Sequence, residues 1–133
     1  MRPPREIVPY ADRAGNCPVL DQLDQLDDLV ARRVRAKLRV LESYDWPDLF
    51  GNQLVKELKG GSGILEFRVA GSGPFGVRIT FFATACRGRN EVVLLDCEKR
   101  GNLSGLLWKR FIARAERLRD DWERRHCGRK DAH

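Results

Sequence analysis

Glu66, Arg68, Arg78 and Lys99 are the residues whose types could do chemistry together, because strand pairing can gather them from three separate segments. Ile64 to Val69 and Phe75 to Phe81 alternate apolar and polar positions, the period of a half-buried strand. Glu91 to Leu95 is apolar on both faces, which suits the centre of a covered sheet. The connections Ala70 to Pro74 and Arg87 to Asn90 are rich in turn residues, so the three runs read as an antiparallel meander. A loop over Arg87 to Asn90 sets Cys86 opposite Glu91 and Arg78 opposite Lys99, and a turn over Gly71 to Phe75 sets Arg68 opposite Arg78. In that register Glu66, Arg68, Arg78, Thr80 and Lys99 share one face, and Leu65, Phe67, Val69, Val77, Ile79, Phe81, Val92 and Leu94 share the other. Like charges facing across strands are destabilising, so three opposed cations imply an anionic ligand. Arginine clamps an anion bidentately without giving up a proton, whereas a lysine among other cations can transfer one.

The 133 residues are enough for one domain with a real core, expected over 1–133, with 1–16 an arm or edge strand and 126–133 a fraying tail. A net charge of +6 favours a polyanionic partner. No apolar run reaches the length of a membrane span, and Met1 to Pro4 lacks the apolar core of a signal peptide, so the expected location is cytoplasmic with no membrane partner. The four cysteines have no metal-type spacing. Cys97 falls opposite Thr80 rather than Cys86, so ordinary unbridged thiols are expected, with no metal and no cofactor.

The elements that must position the charged face follow in chain order. Glu6 to Val8 is the one early strand candidate. Asn16 is placed to cap a short helix from Pro18 to Leu26, and Asp27 or Asp28 a second in which Val30, Val34, Leu38 and Leu41 form the apolar stripe. Arg32, Arg33, Arg35, Lys37 and Arg39 then point outward, and Tyr44 to Asp48 breaks the helix at Pro47. Leu54 to Lys59 reads as a short strand before the turn Gly60 to Gly63. Asn102 or Ser104 can cap a final helix whose stripe is Leu107, Phe111, Ala115, Leu118 and Trp122.

Cys17 to Leu23, the basic helix after it, Leu54 to Gly61, Leu65 to Val69, Val77 to Phe82 and Val92 to Leu95, in this order, resemble the HigB-like, phage-derived branch of the RelE/ParE toxin superfamily. The resemblance covers about residues 17–125. It implies an α+β domain in which an N-terminal helical hairpin packs on a twisted antiparallel sheet with a C-terminal helix. It also implies a toxin of a type II toxin–antitoxin system that cuts messenger RNA on the ribosome without a metal, held in check by an antitoxin protein of helix-turn-helix type. The family's active-face strands match Glu66-Phe67-Arg68, Gly76-Val77-Arg78 and Lys99-Arg100. Two features depart from the pattern: Asp96 stands where the family has histidine, and no Thr-Pro precedes the last helix. His126 and His133 both fall in the expected tail, so histidine is not the acid or base. RNA is cut when its own 2′-hydroxyl attacks the adjacent phosphorus. Arg68 and Arg78 are then expected to clamp the phosphate, Lys56, Lys59 or Lys99 to supply the acid, and Glu66 or Glu98 to act as base. Arg87, Arg89, Arg100, Lys109 and Arg110 are the further cations expected to hold RNA. The alternatives are a ParE-like inhibitor of DNA gyrase and a non-catalytic mobile-element protein of the same fold.

Overall fold

The computed structural model describes residues 5–71, 76–99 and 105–128. In chain order the elements are β1 (Glu6–Pro9), α1 (Pro18–Asp24), α2 (Asp28–Ser43), α3 (Trp46–Gly51), β2 (Lys56–Glu57), β3 (Leu65–Ala70), β4 (Gly76–Thr84), β5 (Glu91–Lys99) and α4 (Gly105–His126). Asp27 caps α2 by accepting from the Val30 N–H at 2.9 Å, and Val30, Val34 and Leu41 bury the helix's apolar stripe. The expected Asn16 cap is not made: Cys17 holds that position and no side chain caps α1. The break after Ser43 occurs as read, with Tyr44 extended, but Pro47 then sits in the first turn of a new helix, α3. A missing N–H costs nothing there, so the same proline ends one helix and starts another.

Among the described residues the fold is α+β, with four helices and a five-stranded sheet in the order β1-β5-β4-β3-β2. The sheet is mixed rather than antiparallel, because β1 runs parallel to β5 with Glu6 against Glu91 and Pro9 against Leu94. The β3–β4 register is the expected one, Arg68 opposite Arg78 and Glu66 opposite Thr80. Gly76 fixes its start, since a Cβ there would lie 2.1 Å from the Val69 carbonyl oxygen. The β4–β5 register is not as expected. Arg78 faces Glu98 and Lys99 faces Val77, and a bulge beside Thr80 and Phe81 makes Leu95 an extra residue. The connection is correspondingly longer than four residues, because Thr84 pairs Glu91.

Both faces of the sheet are covered. On one, Phe67, Val69, Val77, Ile79, Phe81, Val92, Leu94 and Cys97 pack with Val19, Val30, Val34, Leu41 and Leu49 of α1–α3. On the other, Phe82, Val93 and Leu95 pack with Phe111, Ile112, Ala115 and Trp122 of α4. The face expected to be cationic is therefore a second core over most of its area, with Glu66, Arg68 and Arg78 at one end and Glu91 with Arg87 at the other. Of the expected tail 126–133, the described start is held in place, His126 stacking on Trp122 at 4.6 Å and Cys127 forming a disulfide with Cys86, while 129–133 lie outside the described residues. Unbridged thiols are thus correct only for Cys17 and Cys97. Burial pushes the Cys97 thiol up to about 12, with Asp96 adding to the shift. Among the described residues no helix is long and apolar enough to cross a membrane.

Candidate functional site

The charged end of the sheet is organised by Glu66. Strand alternation puts Arg68 two residues along on the same face, and strand pairing brings Arg78 opposite Arg68. One carboxylate oxygen, Glu66 Oε1, accepts from both guanidinium groups, from Arg68 Nε at 2.8 Å and Arg78 Nε at 3.3 Å. This shared acceptor is what makes the direct opposition of two arginines tolerable. The two differ in access. The Arg68 side chain is 39% exposed, whereas those of Arg78 and Glu66 are 9% and 3%.

Arg78 is covered by the first turns of α4. Its guanidinium carbon lies 4.9 Å from the Trp108 ring centre and 5.8 Å from that of Phe111, an arrangement in which an aromatic face stabilises a partly desolvated cation. Trp108 is oriented by its indole N–H, which donates to the Lys59 carbonyl oxygen at 3.1 Å. Further acids approach from β5. Asp96 pairs with Arg114 of α4 at 3.2 Å. Burial pushes the Glu98 carboxyl above its ordinary range, the negative charge of Asp96 adds to this, and Arg114 and Arg78 pull the other way. Between Glu66 and Asp96 in the pairing lies Thr80, fully buried, whose hydroxyl oxygen has no hydrogen-bond partner among the described residues.

Next to this buried group a polar cleft of about 270 Å³ opens at the sheet edge, lined by Lys37, Gln53, Leu54, Lys56, Glu66, Phe67 and Arg68. The pairing of Lys56 with Glu66 places the lysine there, and β2 is only two residues long, so α2 forms the opposite wall and contributes Lys37. Three cations and one carboxylate thus line the same cleft, which suits a phosphate-sized anion. The helical period alone places Lys37 on the outward face of α2, and nothing in the sequence around Gln53 marks it. Gln53 has φ 58, the one non-glycine residue with positive φ among those described, and its N–H donates to the Phe50 carbonyl as α3 ends. A left-handed glutamine costs on the order of 1 kcal/mol, and nothing in the local sequence, such as a glycine, announces it.

Of the other expected site residues, Lys59 is exposed and its backbone, not its amine, supports Trp108. Lys99 is exposed but lies opposite Val77, on the far side of the sheet from Arg68 and Arg78, so it does not join them. Arg87 and Arg89 belong to the β4–β5 turn at the other end of the sheet. Arg87 is held bidentately by buried Glu91, at 2.9 and 2.6 Å, and lies 5.2 Å over Trp122, while Arg89 approaches Glu91 and Glu6. The Arg87 hydrogen bonds hold the Glu91 carboxyl below its usual range against the opposing effect of burial. Lys109 and Arg110 are exposed on the turns of α4 that carry Trp108 and Phe111. Arg100 lies outside the described residues. Among those residues no group of three His, Cys, Asp or Glu side chains is placed to hold a metal ion. Neither a scan against protein-family models nor a search of curated proteins finds a match to this chain.

Proposed function

We propose that the chain is the toxin of a type II toxin–antitoxin pair and that it cuts messenger RNA on the ribosome, with the cleft between α2, β2 and β3 as the catalytic site. The observation that carries this reading is that Lys37, Lys56, Glu66 and Arg68 together line one open cleft. In it Arg68, exposed and already oriented by Glu66, clamps the scissile phosphate. Lys56, which lines the same cleft, protonates the departing 5′-oxygen. Both arginine contacts of Glu66 fall on Oε1, so Oε2 is the oxygen that takes the proton of the attacking 2′-hydroxyl. Arg78, shut beneath Trp108, is a positioning residue that sets Glu66. Lys109 and Arg110 extend the cationic surface along α4 for the RNA backbone.

Primer extension on translated messenger RNA, with EDTA present, tests the reading. Induction should give new cleavage sites whose products end in 2′,3′-cyclic phosphate and 5′-hydroxyl. Arg68→Ala should lower cleavage by about 10²-fold or more, as loss of a contact made mainly in the transition state does. A second reading has its own support: Glu66 is bound by two arginines and Arg78 is covered, which suits a surface that binds an anion without cutting it. Growth arrest without new RNA ends would favour that reading, and arrest of supercoiling would make gyrase the target.

A further inference from the structure

The outer edge of β3 is left open. β2 pairs only Leu65 and Glu66, so among the described residues no strand pairs β3 on that side from Phe67 to Ala70. The direction of its backbone groups follows from two bonds. The Ile64 carbonyl accepts from the Leu58 N–H at 2.8 Å, and the Ala70 carbonyl accepts from Arg33 Nη1 at 2.8 Å. Alternation then turns the N–H and C=O of Arg68 outward between them. Alongside runs a groove of about 480 Å³ whose apolar lining is Ala36, Val40, Leu54 and Val69, with Arg33, Lys37 and Arg68 as its charged lining and no carboxylate.

We propose that this edge takes up an extended acidic segment of another protein as an added strand. Side chains of such a segment alternate between the two faces. One set enters the apolar groove against α2. The other meets Lys56 and Arg68, which leave their strands on the opposite face, Arg68 also bordering the groove where the edge lies open, so it is best filled by Asp and Glu. Long cations on an open edge also discourage chance pairing. That defence explains Arg33 on the Ala70 and Gly71 carbonyls, but it does not require an apolar groove behind the edge. Backbone pairing supplies attachment and the alternating pockets supply selectivity. Lys37, Leu54 and Arg68 also line the candidate catalytic cleft, so an added strand would block it. That last consequence rests on the RNA reading; the docking itself does not.

The test uses the whole protein and fluorescent peptides of alternating Val and Glu, read by anisotropy. Saturable binding is expected, weakened about tenfold or more when Lys replaces Glu and weakened by raised salt. N-methylation of alternate amides in the register that faces Arg68 should abolish it, while methylation in the other register should not. Ala36→Glu, at an exposed position in the groove, should reduce binding at least about tenfold without moving the thermal midpoint. Equal binding by the methylated peptides or by the Ala36→Glu protein overturns the proposal, as does absence of saturable binding. A concentration-dependent dimer abolished by Ala36→Glu would instead assign the edge to a second copy. These measurements stand whether or not the protein cleaves RNA, so failure of one reading is distinguishable from failure of the other.

Discussion

Glu66→Ala is the substitution that separates the buried half of the charged group from the exposed half. It leaves Arg78, whose side chain is 9% exposed, without the carboxylate that pairs with it at 3.3 Å. Removing one partner of a buried ion pair costs about 3–5 kcal/mol, because the remaining charge stays desolvated. The contact with Trp108 survives, worth about 1 kcal/mol, so the low end near 3 kcal/mol is expected. For a chain of this size that corresponds to a fall in thermal midpoint of roughly 10 °C. Arg68→Ala breaks the shorter of the two contacts but on a side chain 39% exposed, and should cost no more than about 1 kcal/mol. The double variant Glu66→Leu with Arg78→Met should recover most of the loss, since apolar replacement of a buried pair is often neutral. Urea unfolding followed by tryptophan fluorescence measures all three, with an unchanged slope as the check that only stability has moved. If Glu66→Ala costs no more than Arg68→Ala, or if the double variant loses as much as the single, the reasoning that Glu66 stabilises a desolvated cation is wrong.

The disulfide and the carboxylates give two further tests. Cys86 and Cys127 close a loop across a separation of 41 residues, so replacing both with serine should cost about 4 kcal/mol by loop-closure entropy, measured as the fall in urea midpoint without reductant. Glu98 holds its proton more tightly in the folded state, so stability should decline as pH rises from its unfolded value of 4.5, and Glu98→Gln should remove that decline. Glu91 behaves in the opposite sense: its lowered pKa adds stability above 4.5 that is lost as pH falls below, and Arg87→Ala should flatten that acid limb in pH-dependent unfolding.

The parts of this arrangement that were legible in the sequence are those set by local period. The β3–β4 pairing follows from alternation and a glycine that must accept a close carbonyl, and it delivered Glu66, Arg68 and Arg78 together. The β4–β5 pairing was not legible, because Leu94-Leu95-Asp96 carries no alternation that would mark Leu95 as the extra residue. Lys37 is one of five cations on α2, and only the shortness of β2 gives it a role in the cleft. The bond between Cys86 and Cys127 depends on where α4 ends against a turn 41 residues earlier, which spacing alone does not encode.

The slipped register also changes why an anion is expected. With Lys99 opposite Arg78 the face would hold three mutually repelling cations, and relief of that repulsion would call for an anionic ligand. With Glu98 there instead, and with Glu66 bonded to both arginines, the buried group contains its own counter-charges and has no need of an external anion. The excess of positive charge lies one step outward, where Lys37, Lys56 and Arg68 outnumber Glu66. Arg68 belongs to both sets, bonded inward to the buried carboxylate and exposed outward to the cleft. A ligand phosphate would therefore meet an arginine already held in place, and the cost of ordering its side chain would have been met when the chain folded.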